Sequence, residues 1–169
     1  MMRDLVAARP DVRWIVIKRA IGGTSLYDTW NPNTSSPWVF ASVHDDIDAQ
    51  LASTGCTPVA YVQILGGQDA LQISRATAYD TRLPLYVDAV RLRYPAIPFI
   101  LGLLHNSSAY PYGDRVQAGQ QHLPTVRAGI FLIDQSSGTL RSDGYHYTTP
   151  SVIALGHPYA AAVLSAAPP

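Results

Sequence analysis

Glutamate is absent from this sequence: all 12 acidic residues are aspartates, and Lys18 is the sole lysine among 12 basic residues. A mechanism built on a pair of glutamates, as in many glycosidases, is therefore excluded. Cysteine is nearly absent too. Cys56 stands alone, so no intrachain disulfide and no cysteine-based zinc site can form. Apolar stretches such as Ile97 to Leu104 are far too short to span a bilayer, and Met1-Met2-Arg3-Asp4 opens no signal-peptide core. That start is not read as the natural start of the domain, so the cellular location stays open. With a formal net charge of zero, the chain offers no electrostatic footprint for nucleic acid or an anionic membrane.

What is present describes a globular chain: 169 residues, 47% hydrophobic and 14% charged, enough for one domain with a sizeable core. Four short apolar runs bounded by turn residues are predicted as buried parallel strands: Trp14 to Ile17, Val59 to Ile64, Pro98 to Leu101 and Gly129 to Ile133. Between them, helices are predicted over Asp46 to Ser53, Asp69 to Tyr94, Arg115 to Gln121 and Pro150 to Leu164. Thr149 is placed as N-cap of the last, and Pro84 is expected to break or kink the second. Alternating strands and helices imply an α/β sandwich with a mostly parallel sheet, whose strand C-termini gather the chemistry.

The distinctive residues fall at those ends. Gly22-Gly23-Thr24-Ser25 follows the first predicted strand, Gly66-Gly67-Gln68-Asp69 the second, His105 the third, and Asp143 and His146 the fourth. A carboxylate three residues before an imidazole, across a glycine turn, can accept the Nδ1 proton and leave Nε2 as a general base. The same residues also fit a helix-capping Asp beside a surface His. At the two glycine turns, Gly23, Gly66 and Gln68 suit an oxyanion donor or plain tight turns. Tyr27, Trp30 and Trp38 flank the first turn and suit stacking on a sugar ring or packing of the polar loop from Asn31 to Pro37. His44, His105, His122 and His157 show no metal-ligand spacing.

In this order, the blocks resemble SGNH (GDSL-like) hydrolases of the sialate O-acetylesterase and acetylxylan esterase branch. The matching text runs from Ile15 to Lys18, through Gly22 to Leu26 and Trp30. It resumes at Gly66 to Ala70 with Tyr79 and Arg91, then Ile97 to Gly102, and closes at Ser142 to Thr149 and Ala154 to Gly156. It covers about residues 13 to 165, as one domain over 1–169. The resemblance implies a three-layer α/β/α, flavodoxin-like fold, and hydrolysis of acetyl esters on sugars without a metal or other cofactor. It implies His146 as base, Asp143 as orienter, and Gly23 as a backbone oxyanion donor. Gln68 stands where the wider superfamily has an Asn donor, whereas the carbohydrate branch would place its glutamine on Leu65.

One block of that family is missing. Its nucleophilic serine sits in a Gly-Gln-Ser-Asn or Gly-Asp-Ser-Leu motif upstream of the Gly-Gly-Thr block, and no serine precedes Ser25 here. Three expectations compete. The domain is N-terminally incomplete, with strand and serine supplied by an upstream segment or another chain. Or it is a non-catalytic relative that keeps a sugar-binding or structural role. Or Ser25, in Gly23-Thr24-Ser25-Leu26, is itself the nucleophile. The expected partner is an acetylated carbohydrate.

Overall fold

A computed structural model describes residues 1–33 and 38–167; the remainder of the predicted loop to Pro37, and the Trp38 side chain, lie outside the described residues. In chain order the elements are α1 (Met2–Ala8), α2 (Trp38–Thr54), β1 (Tyr61–Ile64), α3 (Ile73–Arg93), β2 (Phe99–Gly102), α4 (Gly113–Val126), β3 (Ile130–Ile133) and α5 (Thr149–Ala166). A single 3-10 turn, Asp69–Leu71, leads into α3. The three strands form a parallel sheet in the order β1-β2-β3, with Tyr61 opposite Phe99 and Phe99 opposite Ile130.

β2 is buried at every position. Its side chains alternate between two cores, as a strand covered on both faces must. Phe99 and Leu101 enter the larger core with residues of α2, α3 and α4, while Ile100 enters the smaller one with Leu5 of α1 and Tyr159, Ala160 and Val163 of α5. The architecture is therefore three-layered, with helices on both faces of a parallel sheet.

Helix α3 runs unbroken through Pro84. Ala76, Tyr79, Leu83, Tyr86, Val87 and Val90 form one buried seam on both sides of it. Each large side chain buried there contributes about 1.5–3 kcal/mol, which together outweigh the roughly 3 kcal/mol cost of an interior proline. The expected break is thus overridden by tertiary packing. α2 and α4 extend beyond their predicted spans for the same reason: Val39, Phe40 and Val43 of α2 and Val116 and Leu123 of α4 are buried in that core. In α5 the N-cap is Thr148 rather than Thr149.

The expected strand at Trp14 to Ile17 does not form. No backbone group from Arg13 to Ala20 makes a hydrogen bond, and Ile15 and Val16 are 40% and 46% exposed. An apolar run becomes a strand only where a neighbouring edge is within reach. Here the edge of β1 lies across a groove.

Beneath the sheet, His44 is fully buried. Its Nδ1 donates to the Phe40 carbonyl at 2.6 Å, and its Nε2 lies 3.2 Å from the Tyr61 hydroxyl, which in turn is 2.8 Å from that of Tyr86. Burial, with Arg93 adding to it, lowers the His44 pKa below the usual 6.5, against the opposing Phe40 carbonyl. Below pH 6.5 the unfolded chain takes up a proton that the native ring resists, so this contribution to stability is lost as pH falls through the folded value. In urea unfolding, the stability difference between wild type and His44→Phe should therefore be larger at about pH 8 than at about pH 5.

Candidate active site

After β3 the chain forms a small hairpin. Leu140 bridges Tyr147 in antiparallel fashion, the Thr148 N–H donates to the Thr139 carbonyl at 2.9 Å, and the Arg141 N–H donates to that of His146 at 2.7 Å. Asp143 and His146 occupy its tip. Gly144, with φ of +73°, makes the turn that most other residues would resist. Ser107, in the loop after β2, donates its hydroxyl to the Gly144 carbonyl at 2.8 Å and ties the tip to the strand ends.

At the tip, Asp143 Oδ1 accepts the backbone N–H groups of Tyr145 and His146 at 2.8 and 2.9 Å, while Oδ2 lies 3.0 Å from His146 Nδ1. These bonds, led by the His146 backbone N–H, pull the Asp143 pKa down to about 2. The carboxylate is thus ionised throughout the physiological range. In a neutral ring it holds the proton on Nδ1 and leaves Nε2 as an acceptor.

His146 borders a cavity of about 400 Å³ at the C-terminal ends of all three strands. Leu65 and Gly67 line it after β1, Leu104 and His105 after β2, and Gln135 after β3. Tyr110, Tyr145 and Tyr147 form aromatic walls: Tyr110 meets Tyr145 edge to face at 5.3 Å, and His105 meets Tyr147 at 5.7 Å. Arg141 is the single lysine or arginine among the lining residues, and no aspartate joins it. Among the described residues, no group of three or more His, Cys or Asp side chains could hold a metal ion.

The other predicted site residues do not converge on His146. Ser25 is 1% exposed; its hydroxyl lies 3.2 Å from Asp28 Oδ2 and accepts the Asp28 N–H, and Ser25 is not among the cavity's lining residues. A hydroxyl enclosed in its own turn does not meet a substrate. Trp30 is also buried, in the larger core, with its indole N–H donating to Thr24 Oγ1 at 2.8 Å, so it packs the loop rather than presenting a stacking face. Gly23, Gly66 and Gln68 likewise fall outside the lining; Gly66, with φ of +125°, serves the sharp exit from β1, where a Cβ would meet Val116 at 2.7 Å. His105 does line the cavity. Gln135, Arg141, Tyr110, Tyr145 and Tyr147 were not predicted, although Tyr145 and Tyr147 flank His146 in sequence.

The two glycine blocks are nonetheless coupled. Asp69, buried at the start of the 3-10 turn, accepts the backbone N–H groups of Leu26 and Tyr27, both at 2.9 Å. Burial raises its pKa to about 6 in spite of those donors.

Residues 3–165 match the family described as carbohydrate esterase, sialic acid-specific acetylesterase. The chain belongs to this family. A crystal structure of a protein from Arabidopsis thaliana superposes with a TM-score of 0.74 at 24% identity, over 85% of this chain and 58% of that one. At that identity the likeness shows a shared fold, and this carbohydrate esterase family member spans little more than half of the Arabidopsis chain's length. No curated protein matches the chain.

The Asp143–His146 geometry makes a spectroscopic prediction. The Asp143 carboxyl carbon should titrate near pH 2, and the imidazole nitrogens of His146 should report the Nδ1–H tautomer in the neutral ring. Asp143→Asn should shift those nitrogens toward the Nε2–H tautomer that an unpartnered neutral histidine favours, as nitrogen-detected NMR would reveal.

Proposed function

We propose that this chain is a carbohydrate O-acetylesterase module in which His146 acts as general base and acid and Asp143 holds its ring. Family membership supports the ester-hydrolase chemistry. The single observation that carries the residue roles is the bond of His146 Nδ1 to Asp143, with the ring bordering a cavity at the strand ends.

In the complete reaction a serine hydroxyl attacks the acetyl carbonyl and passes its proton to His146 Nε2. The sugar oxygen then leaves with that proton as the acetyl–serine ester forms. Water, deprotonated by His146, next cleaves this ester, releasing acetate and restoring the serine. Asp143 remains ionised and stabilises the imidazolium. The oxyanion requires backbone donors near the serine. In place of Gly23, Gly67 borders the cavity in the turn after β1, so its N–H is the donor this reading favours. The tyrosine walls suit the faces of a sugar ring.

Among the described residues no serine lines the cavity, and this favours a second reading, a carbohydrate-binding module without catalysis. The two readings separate in one experiment. The chain alone should leave acetyl esters intact, while an acetylated sugar should shift the Tyr145, His146 and Tyr147 resonances. If His146 has a catalytic role, His146→Ala should weaken binding only slightly yet abolish any hydrolysis restored by an added serine. Hydrolysis by the unaided chain that disappears in both Ser25→Ala and His146→Ala would contradict the proposal and restore Ser25 as nucleophile.

A further inference from the structure

The chain has no glutamate, and among the described residues no aspartate lines the cavity at His146. A sugar brings several hydroxyl donors to that cavity, and its wall offers no carboxylate to accept them. The wall holds a second imidazole instead. His105 follows β2 and lines the same cavity from the opposite side of the sequence block that carries His146.

The tautomer of His105 is set by its partner. Its Nδ1 lies 3.3 Å from the Gln135 carbonyl oxygen. A carbonyl only accepts, so Nδ1 carries the proton and, in the neutral ring, Nε2 is a bare acceptor. The same carbonyl also accepts the Gly138 N–H at 3.1 Å and the Tyr147 hydroxyl at 3.3 Å, and Gln135 is buried, so this oxygen is well fixed. The imidazole also packs edge to face against Tyr147, the residue after His146, with ring centres 5.7 Å apart. Among the described residues, no group bonds to His105 Nε2.

We propose that His105 determines specificity: its Nε2 accepts the hydrogen bond of a free hydroxyl on the same sugar ring that presents its acetyl ester to His146. The cavity, at about 400 Å³, has the size of a site for one small ligand, so hydroxyl and ester belong to one ring. A tyrosine hydroxyl can turn to give or to accept, whereas the bare Nε2 only accepts. A ring whose hydroxyls are all esterified brings no donor and leaves that nitrogen unpaired. The site therefore selects partly acetylated sugars over fully acetylated ones. This inference rests on the reading of the chain as a carbohydrate acetylesterase module, and it holds equally for a module that only binds.

The test is a binding titration of the whole chain, read from the Tyr145, His146 and Tyr147 resonances. Monoacetylated methyl pentosides and hexosides are screened first, and the tightest becomes the parent probe. Each of its free hydroxyls is then replaced in turn by fluorine, which is similar in size and cannot donate. One member of this series should bind about tenfold more weakly than the parent, the scale of one hydrogen bond. His105→Phe keeps a ring against Tyr147 and removes both nitrogens. It should weaken the parent by about the same factor and leave that one member unchanged, as a double-mutant cycle requires of direct partners. His105→Gln, whose amide oxygen can take the place of Nε2, should restore part of the difference. A merely structural role would weaken parent and series alike. Equal binding of every member by the wild-type chain, or a penalty that persists in His105→Phe, would overturn the proposal and leave the acetylesterase reading standing. Binding of none of the screened glycosides would overturn both.

Discussion

The parallel ladder through β2 is the constraint from which the remainder follows. Phe99 to Gly102 pair with a strand on each side and are buried on both faces, so their alternating side chains anchor the two cores at once. Parallel strands also end on one side of the sheet. The turns after β1, β2 and β3 are thereby brought to a common rim, although they are far apart in sequence, and the cavity at His146 is built there. Gly102, at the end of β2, has no room for a side chain, since a Cβ would overlap the Tyr159 hydroxyl and crowd Gln135. The close packing of α5 beneath the cavity floor depends on that glycine.

Among the described residues, the same ladder leaves one edge of β1 without a strand partner. Much of the N-terminal third is arranged around that gap rather than closed over it. Asp69 reaches from the start of the 3-10 turn to hold the backbone of Leu26 and Tyr27, which fixes the Gly22–Leu26 block near β1. Trp30 and Ser25 are consumed in packing and capping this block. Residues 13–20 are held at a distance across the groove with their backbone groups free. The sheet thus buries its central strand completely, and the open outer edge of β1 adjoins the cavity of the candidate catalytic histidine through Ile64 and Leu65.

The parts of this arrangement legible in the sequence are those set by local chemistry. The runs at residues 59–64, 98–101 and 129–133 are apolar, short and flanked by turns, and each overlaps a strand of the sheet. The hydrogen bond between Asp143 and His146 joins residues three apart across a glycine, so it could be read directly. The misreadings involve groups whose state depends on distant neighbours. Trp14 to Ile17 has strand composition but no edge within reach. Pro84 has breaker chemistry but is flanked on both sides by a buried seam. Ser25, one of three alternatives left open for the nucleophile, has its hydroxyl held in a closed turn. The cavity walls at Tyr110, Gln135 and Arg141 come from loops with no periodicity, and only the closure of the sheet brings them together.

Covalent trapping tests the reading of Ser25 as a turn-capping residue, apart from the base at His146, most directly. A fluorophosphonate forms a phosphorus–oxygen bond with an activated serine and expels fluoride, and mass spectrometry then locates the label. The chain is predicted to take no label at Ser25, whose hydroxyl is held in its own turn. Label on Ser25 that is lost in His146→Ala would contradict the account, because it would make Ser25 the nucleophile served by that base.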